Sequence, residues 1–179
     1  ERRYIRIWQN IMNHNEMQLF ILPYAGGSIA SFKRLTDLID DSVEVITVEY
    51  SGRGIRAREQ FKDSFKEMKN DAFSYCMDRR KPEIPFAIMG YSMGSILAYE
   101  IIKSKLIPGN LKHLFISAEI SPKSRSMELS GVQKLTDDMI LERARLLGGL
   151  DEQILSDKRF ADIYIKPMIS DYRNFFGYV

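Results

Sequence analysis

Residues 85–100 read PFAIMGYSMGSILAYE, and this stretch limits the fold more than any other. Phe86-Ala-Ile-Met89 is an apolar run of the length of a fully buried strand, and Met93 to Lys105 carries apolar residues at helical spacing. The pattern Gly90-x-Ser92-x-Gly94 joins the two, so the chain has to pass from strand to helix through one sharp turn. A serine at the centre of such a turn takes a strained backbone conformation in which neighbouring side chains would collide. Glycines two before and two after remove the collisions. The turn also sets Ser92 beside a helix N-terminus, whose outward N–H groups favour negative charge. Chance alone yields Gly-x-Ser-x-Gly in a chain of this size at roughly the one-in-twenty level, so the flanking strand and helix carry the weight. Ser92 is a candidate nucleophile, Gly90 and Gly94 form its elbow, and the Met93 N–H is a candidate oxyanion donor.

The rest of the chain alternates in the same way. Gln18–Leu22, Val43–Val48 and Leu111–Ile116 read as further strands. Helices are expected over Ser28–Ile39, with Ile29, Phe32, Leu35 and Ile39 on one face, and over Asp63–Arg80, stopped by Lys81-Pro82. Four strands separated by helices predict an α/β fold, a mainly parallel sheet with helices on both faces. After Ser121 the pattern becomes helical. Thr136, followed by Asp137 and Asp138, opens a helix closed by Gly148-Gly149, and a second run from about Asp157 is interrupted by Pro167. The expected division is one domain over 1–179, with 1–121 as the core sheet and helices and 122–179 as a helical lid. Phe160, Ile163, Tyr164, Met168 and Phe175 are expected on the inner face of the lid.

Leu22-Pro-Tyr-Ala-Gly-Gly27 follows the first strand. A Gly-Gly pair there exposes backbone amides, and with a serine elbow downstream the backbone N–H of Ala25 becomes the second candidate oxyanion donor. Neither G-x-x-x-x-G-K-[ST] nor G-x-G-x-x-G occurs, so these glycines are not a phosphate loop. Net charge is +2, with 26 basic and 24 acidic residues, which predicts no strong field for nucleic acid or an anionic membrane surface. No apolar run reaches the ~20 residues that span a bilayer. The single cysteine, Cys76, allows no internal disulfide and reads as a small buried residue, in keeping with a reducing cytoplasm.

Several ordered motifs make the sequence resemble the type II thioesterases of nonribosomal peptide and polyketide assembly lines, within the α/β-hydrolase fold. Phe20-Ile-Leu-Pro-Tyr-Ala-Gly-Gly27 resembles that family's F-x-x-P-Y-A-G-G, and Ser51-Gly-Arg-Gly-Ile-Arg56 its P-G-R-G-x-R, with Ser51 in place of proline. Gly90-Tyr-Ser-Met-Gly-Ser-Ile-Leu-Ala-Tyr-Glu100 resembles G-H-S-M-G-A-x-x-A-x-E, with Tyr91 in place of histidine, a change expected to alter hydrogen bonding beneath the elbow. His113-Leu-Phe-Ile-Ser117 resembles H-L-F-x-S, while Leu147-Gly-Gly149 and Met168-Ile-Ser-Asp-Tyr172 resemble lid segments. The resemblance implies a hydrolase that clears acyl or aminoacyl groups from the phosphopantetheine arm of an acyl or peptidyl carrier protein. The arm belongs to the partner, so no cofactor and no metal is implied, and the complete enzyme would be a monomer. A general serine esterase or lipase of the same fold and a non-catalytic carrier-binding homologue are the alternatives.

A serine nucleophile needs a base, and the base an orienting acid. The chain holds two histidines, His14 before the core and His113 at the strand end opposite the elbow, and neither is placed to serve. The resemblance puts the acid and the histidine after two further strands, beyond the lid. Glu119, just past the fourth strand, is a weaker alternative for the acid, and Asp171 reads as a structural capping or pairing residue. The expectation is therefore a chain truncated before its catalytic Asp and His, inactive by itself, with its C-terminal strands missing and the 111–116 strand left as an open edge.

Overall fold

The computed structural model describes residues 16–121, 124, 136–146, 159 and 161–178. His14, Gly148-Gly149, the helix start near Asp157 and Phe160 lie outside them. Strands β1 (Met17–Leu22), β2 (Val43–Thr47), β3 (Phe86–Tyr91) and β4 (Leu111–Ser117) form one sheet in the order β2-β1-β3-β4, and every pairing is parallel. Parallel neighbours need crossovers. Between β1 and β2 the crossover is a 3₁₀ turn (Ile29–Phe32) and the short helix α1 (Lys33–Thr36); α2 (Phe65–Arg79) joins β2 to β3, and α3 (Met93–Lys103) joins β3 to β4. This is the α/β architecture expected from the sequence.

The strand order positions the site. From β1 the chain moves outward to β2, then returns to lay β3 on the other side of β1. The connections after β1 and β3 thus depart in opposite directions, and open α/β sheets form their crevice at such a point. Leu22 is in register with Gly90, so the loop after β1 and the turn after β3 leave the sheet as neighbours.

On one face Phe20, Leu22, Phe86 and Ile88 pack against Ile96, Leu97 and Ile101 of α3 and Phe65, Met68, Ala72 and Cys76 of α2. Phe20 and Phe86 meet edge-on at 5.9 Å. Helix α2 starts where the Ser64 hydroxyl accepts the Glu67 N–H (3.2 Å) while the Glu67 carboxylate accepts the Asp63 N–H (3.0 Å). Its far end is tied to the sheet by the fully buried Gln18, whose amide donates to the Arg79 carbonyl (3.0 Å) and accepts from Lys81 N–H (2.7 Å). Strand β4 is an outer edge of the sheet as described, and Leu114, Phe115 and Ile116 on it are 37%, 51% and 48% exposed. Among the described residues no helix is long and apolar enough to cross a membrane.

One expectation fails here. The helix expected over Ser28–Ile39 is a 3₁₀ turn plus one turn of α-helix ending at Thr36. Only Phe32 reaches the core, while Ile29 and Leu35 are 37% and 38% exposed, so burial does not reward a longer helix. Pro167 falls in the first turn of α5 (Lys166–Phe176), which directly follows the π-helical residues Ala161–Ile165, so the winding of the helical run changes beside the proline.

Helix α4 (Asp137–Leu146) opens as expected, with the Thr136 hydroxyl accepting the Met139 N–H (3.3 Å). A π-helical segment, Ala161–Ile165, leads into α5, whose Arg173 pairs with Asp137 of α4 (2.6 Å). Of the residues expected on an inner lid face, Met168 and Phe175 are buried, Tyr164 borders a cavity together with Met168, and Ile163 is 61% exposed. Phe175 packs into the main core beside Phe65 rather than against an acyl space.

Candidate active site

The strained turn is present. Ser92 stands at φ 51° and ψ −121° between β3 and α3, one of three described non-glycine residues with positive φ. Such a conformation costs about 1–3 kcal/mol and persists only where the surroundings dictate it. Both elbow glycines are sterically required. A Cβ on Gly90 would lie 2.4 Å from the Gly94 carbonyl oxygen and the Ser95 Cα, and one on Gly94 would lie 2.0 Å from the Leu22 carbonyl oxygen. Ser92 N–H donates to the Ser117 carbonyl at the end of β4 (2.8 Å), and the Ser92 carbonyl accepts the Ser95 N–H (2.7 Å). The buried Ser95 hydroxyl lies 2.8 and 2.9 Å from the Gly90 and Ser117 carbonyls and accepts the Ser117 N–H at 3.2 Å. Met93, the first residue of α3, has its side chain in the core. Its N–H belongs to the first turn, which has no partner within the helix.

The second turn carries Ala25. Gly27 N–H donates to the Tyr24 carbonyl (2.8 Å), and Gly26 has φ 80°, the value a type II turn asks of its third residue. Three groups from elsewhere in the chain hold this turn. The Tyr50 hydroxyl donates to the Pro23 carbonyl (2.9 Å), Arg53 Nη1 donates to the Gly27 carbonyl (3.1 Å), and Gly26 N–H donates to Asp171 Oδ2 (2.8 Å). Arg53 and Asp171 form a two-pronged ion pair at 2.5 and 2.6 Å, with side chains only 4% and 2% exposed. Burial opposes the charge on Arg53, but Asp171 beside it holds the guanidinium above its ordinary pKa. Burial also raises the carboxyl of neighbouring Glu49, which accepts the Ile29 N–H (3.3 Å). Asp171 is thus the structural pairing residue expected from the sequence. Its partners Arg53 and Gly26, and the roles of Tyr50 and Ser95, are not visible at that level. The one available signal is the Gly52-Arg53-Gly54 triplet, whose glycines have φ 79° and 49° and present Arg53 on a tight turn.

A cavity of 450 Å³ opens where the two turns meet, bordered by Ala25, Gly26, Ser92, Ala118, Ala144 and Met168. It therefore brings Ser92 and Ala25 together, with Gly90 and Gly94 beneath the serine. Tyr24, Tyr91, Tyr164 and Tyr172 complete a largely aromatic wall. Tyr91 is 37% exposed and packs edge-on to Tyr24 (5.9 Å) and Phe32 (6.1 Å), so it shapes the cavity instead of altering hydrogen bonds beneath the elbow. No histidine or carboxylate is among the described residues lining the cavity. His113 is exposed, is in register with Ala87, and lies toward the far end of β4. Glu119 is half-buried, with Oε1 accepting the Ile120 N–H (2.9 Å). Among the described residues no group of three or more His, Cys, Asp or Glu is arranged to hold a metal ion.

A family model described as "Thioesterase domain" matches residues 17–178. The chain is 25% identical over 167 residues to gramicidin S biosynthesis protein GrsT of Aneurinibacillus migulanus, covering 91% of this chain and 63% of that protein. It is 28% identical to thioesterase PikA5 of Streptomyces venezuelae, covering 89% and 57%. Among solved structures, ClbQ from the colibactin nonribosomal peptide and polyketide pathway superposes with a TM-score of 0.74 at 27% identity, covering 92% of this chain and 69% of that one. The chain thus spans 57–63% of the length of these two curated relatives.

Proposed function

The chain belongs to the thioesterase domain family, and from that premise we propose that it hydrolyses acyl or aminoacyl thioesters on the phosphopantetheine arm of a carrier protein, as an editing enzyme of nonribosomal peptide or polyketide synthesis. The observation that carries the proposal is Ser92, held at φ 51° by two indispensable glycines and facing a cavity shared with the Ala25 turn. Relatives named for gramicidin S biosynthesis and for PikA5 thioesterase activity support the substrate class.

In this proposal Ser92 Oγ attacks the thioester carbonyl carbon, and its proton passes to a histidine that the described residues do not include. The N–H groups of Ala25 and Met93 hold the negative oxygen of the tetrahedral intermediate. When the C–S bond breaks, the pantetheine sulfur takes a proton and leaves, and the acyl group stays on Ser92. Water then attacks the acyl ester, releasing the acid and restoring the serine. Residues 1–179 act as one domain, with 1–121 as core and 122–179 as the lid over the acyl group. The enzyme works as a monomer in the cytoplasm, where a lone, buried, reduced Cys76 is at home.

The test is Ser92→Ala in the full natural chain, assayed on an acyl-loaded carrier protein. Hydrolysis is expected to fall by at least ~10³-fold, the loss typical of removing a nucleophile. Retained hydrolysis would rule out Ser92. Faster cleavage of simple oxygen esters than of carrier thioesters would point to a general esterase, and carrier binding without turnover to a non-catalytic homologue.

A further inference from the structure

We infer that Arg53 and Asp171 are positioning residues for the reaction: their buried ion pair clamps the Tyr24–Gly27 turn, so the Ala25 N–H stays aimed into the cavity only while α5 is seated. This rests on the role proposed above for Ala25.

The clamp reaches the turn at two consecutive residues, Gly26 and Gly27. Asp171 Oδ2 takes the Gly26 N–H (2.8 Å), and Arg53 Nη1 gives to the Gly27 carbonyl (3.1 Å) while also bonding Asp171. The Tyr24 carbonyl, in the same peptide as the Ala25 N–H, is fixed by the Gly27 N–H (2.8 Å). Holding Gly26 and Gly27 therefore sets the plane of the peptide that carries the proposed oxyanion donor. Without the clamp two consecutive glycines give this turn little rigidity of its own, because each populates several backbone conformations at similar energy. Helix α5 comes close enough that a Cβ on Gly26 would lie 2.8 Å from the Met168 Cβ. The turn, the ion pair and the helix are consequently one packed unit, and Asp171 is the part contributed from 145 residues away. A buried ion pair is a poor source of net stability, since apolar residues of similar volume often serve as well. Its value lies in direction, and here both charged groups point at the backbone of the turn.

The experiment uses the full natural chain and compares Ser92→Ala, Arg53→Lys and the double variant Arg53→Met with Asp171→Leu. The double variant removes both charges of the pair together, and leaves the buried Glu49 with the Arg56 charge and the Ile29 N–H bond. It is expected to melt cooperatively and to lose about 10–100-fold in kcat, part of the 10²–10³-fold that removing a whole oxyanion donor costs. KM should move less than about threefold, because the acyl wall is unchanged. Arg53→Lys keeps a charge for Asp171 but loses the fork that also reaches Gly27, and should lose roughly 3–10-fold in kcat at unchanged KM. A folded double variant with wild-type kcat overturns the inference. If the double variant does not fold, a folded Arg53→Lys with wild-type kcat overturns it equally. Hydrolysis that survives Ser92→Ala defeats the nucleophile reading and this inference with it. Hydrolysis abolished by Ser92→Ala but untouched by the clamp variants defeats this inference alone.

Discussion

The Ser92 turn is fixed by close neighbours: Gly90, Ser95, the end of β4, and the Leu22 carbonyl against which Gly94 is packed. The Tyr24–Gly27 turn, one strand away, is fixed by hydrogen bonds with the side chains of Tyr50, Arg53 and Asp171. The first turn resists deformation because backbone atoms fill the space around it. The second keeps its shape only while distant side chains hold it. One is a rigid seat for a nucleophile, and the other is a donor whose aim depends on how the chain as a whole is assembled.

The sharpest break in that comparison is Gly94→Ala. Its Cβ would press 2.0 Å from the Leu22 carbonyl oxygen, and neither α3 nor β1 can yield without disturbing the sheet. The expected cost is about 4 kcal/mol or more, at the upper end for single substitutions. It should appear as a large drop in denaturant midpoint or as insoluble protein. A midpoint close to wild type would show that the elbow is softer than its contacts imply.

This difference also decides what could be read from the sequence. The elbow is legible because a steric requirement two residues either side of a serine leaves glycines in a fixed pattern. The four parallel strands are legible because each is a short apolar run closed by turn residues. The clamp is not legible: nothing near Asp171 names Arg53 or Gly26 as its partner, and pairing across 118 and 145 residues follows only from the finished topology. The lid face is misread at Ile163, which is 61% exposed, while Tyr164 and Met168 do border the cavity. The helix expected after Ser28 is misread because apolar spacing does not tell whether a surface exists to bury it. Tyr91 is read as a local substitution beneath the serine, yet its ring goes outward to Tyr24 and Phe32.

A smaller effect separates the two turns more finely. Tyr50→Phe removes the hydroxyl that holds the Pro23 carbonyl at 2.9 Å, in a residue only 2% exposed, and touches nothing at the elbow. A lost buried hydrogen bond of this kind costs about 1 kcal/mol. Urea melts should show that loss, and hydrogen exchange should quicken at the Gly26 and Gly27 amides while the Ser92 and Ser95 amides keep their protection. Equal loosening of both turns would mean that they form a single mechanical unit.

The smallest expected effect depends on acid. Arg56 bonds Asp71 of α2 through both terminal nitrogens (2.8 Å each), and its Nη1 also donates to the Glu49 carbonyl (2.9 Å), so this pair holds the segment that carries Arg53. Burial pushes the Asp71 carboxyl upward, but the Arg56 hydrogen bonds and charge, with Lys62 beyond, outweigh it and hold the pKa below its ordinary value. A carboxylate depressed in the folded state stabilises the fold at pH above its unfolded value of about 3.9, and the contribution drains away as pH falls through the folded value. Asp71 is partly solvated, so the whole contribution is about 1 kcal/mol or less. Wild type should therefore exceed Asp71→Asn by a constant margin above about pH 5, and the margin should shrink below about pH 4. A margin that stays level down to pH 2.5 would mean that the pair only fills space. Among the described residues the contacts that fix the Ser92 turn come from backbone atoms and the Ser95 hydroxyl, so the acid-dependent margin is expected on the Arg53 side of the site.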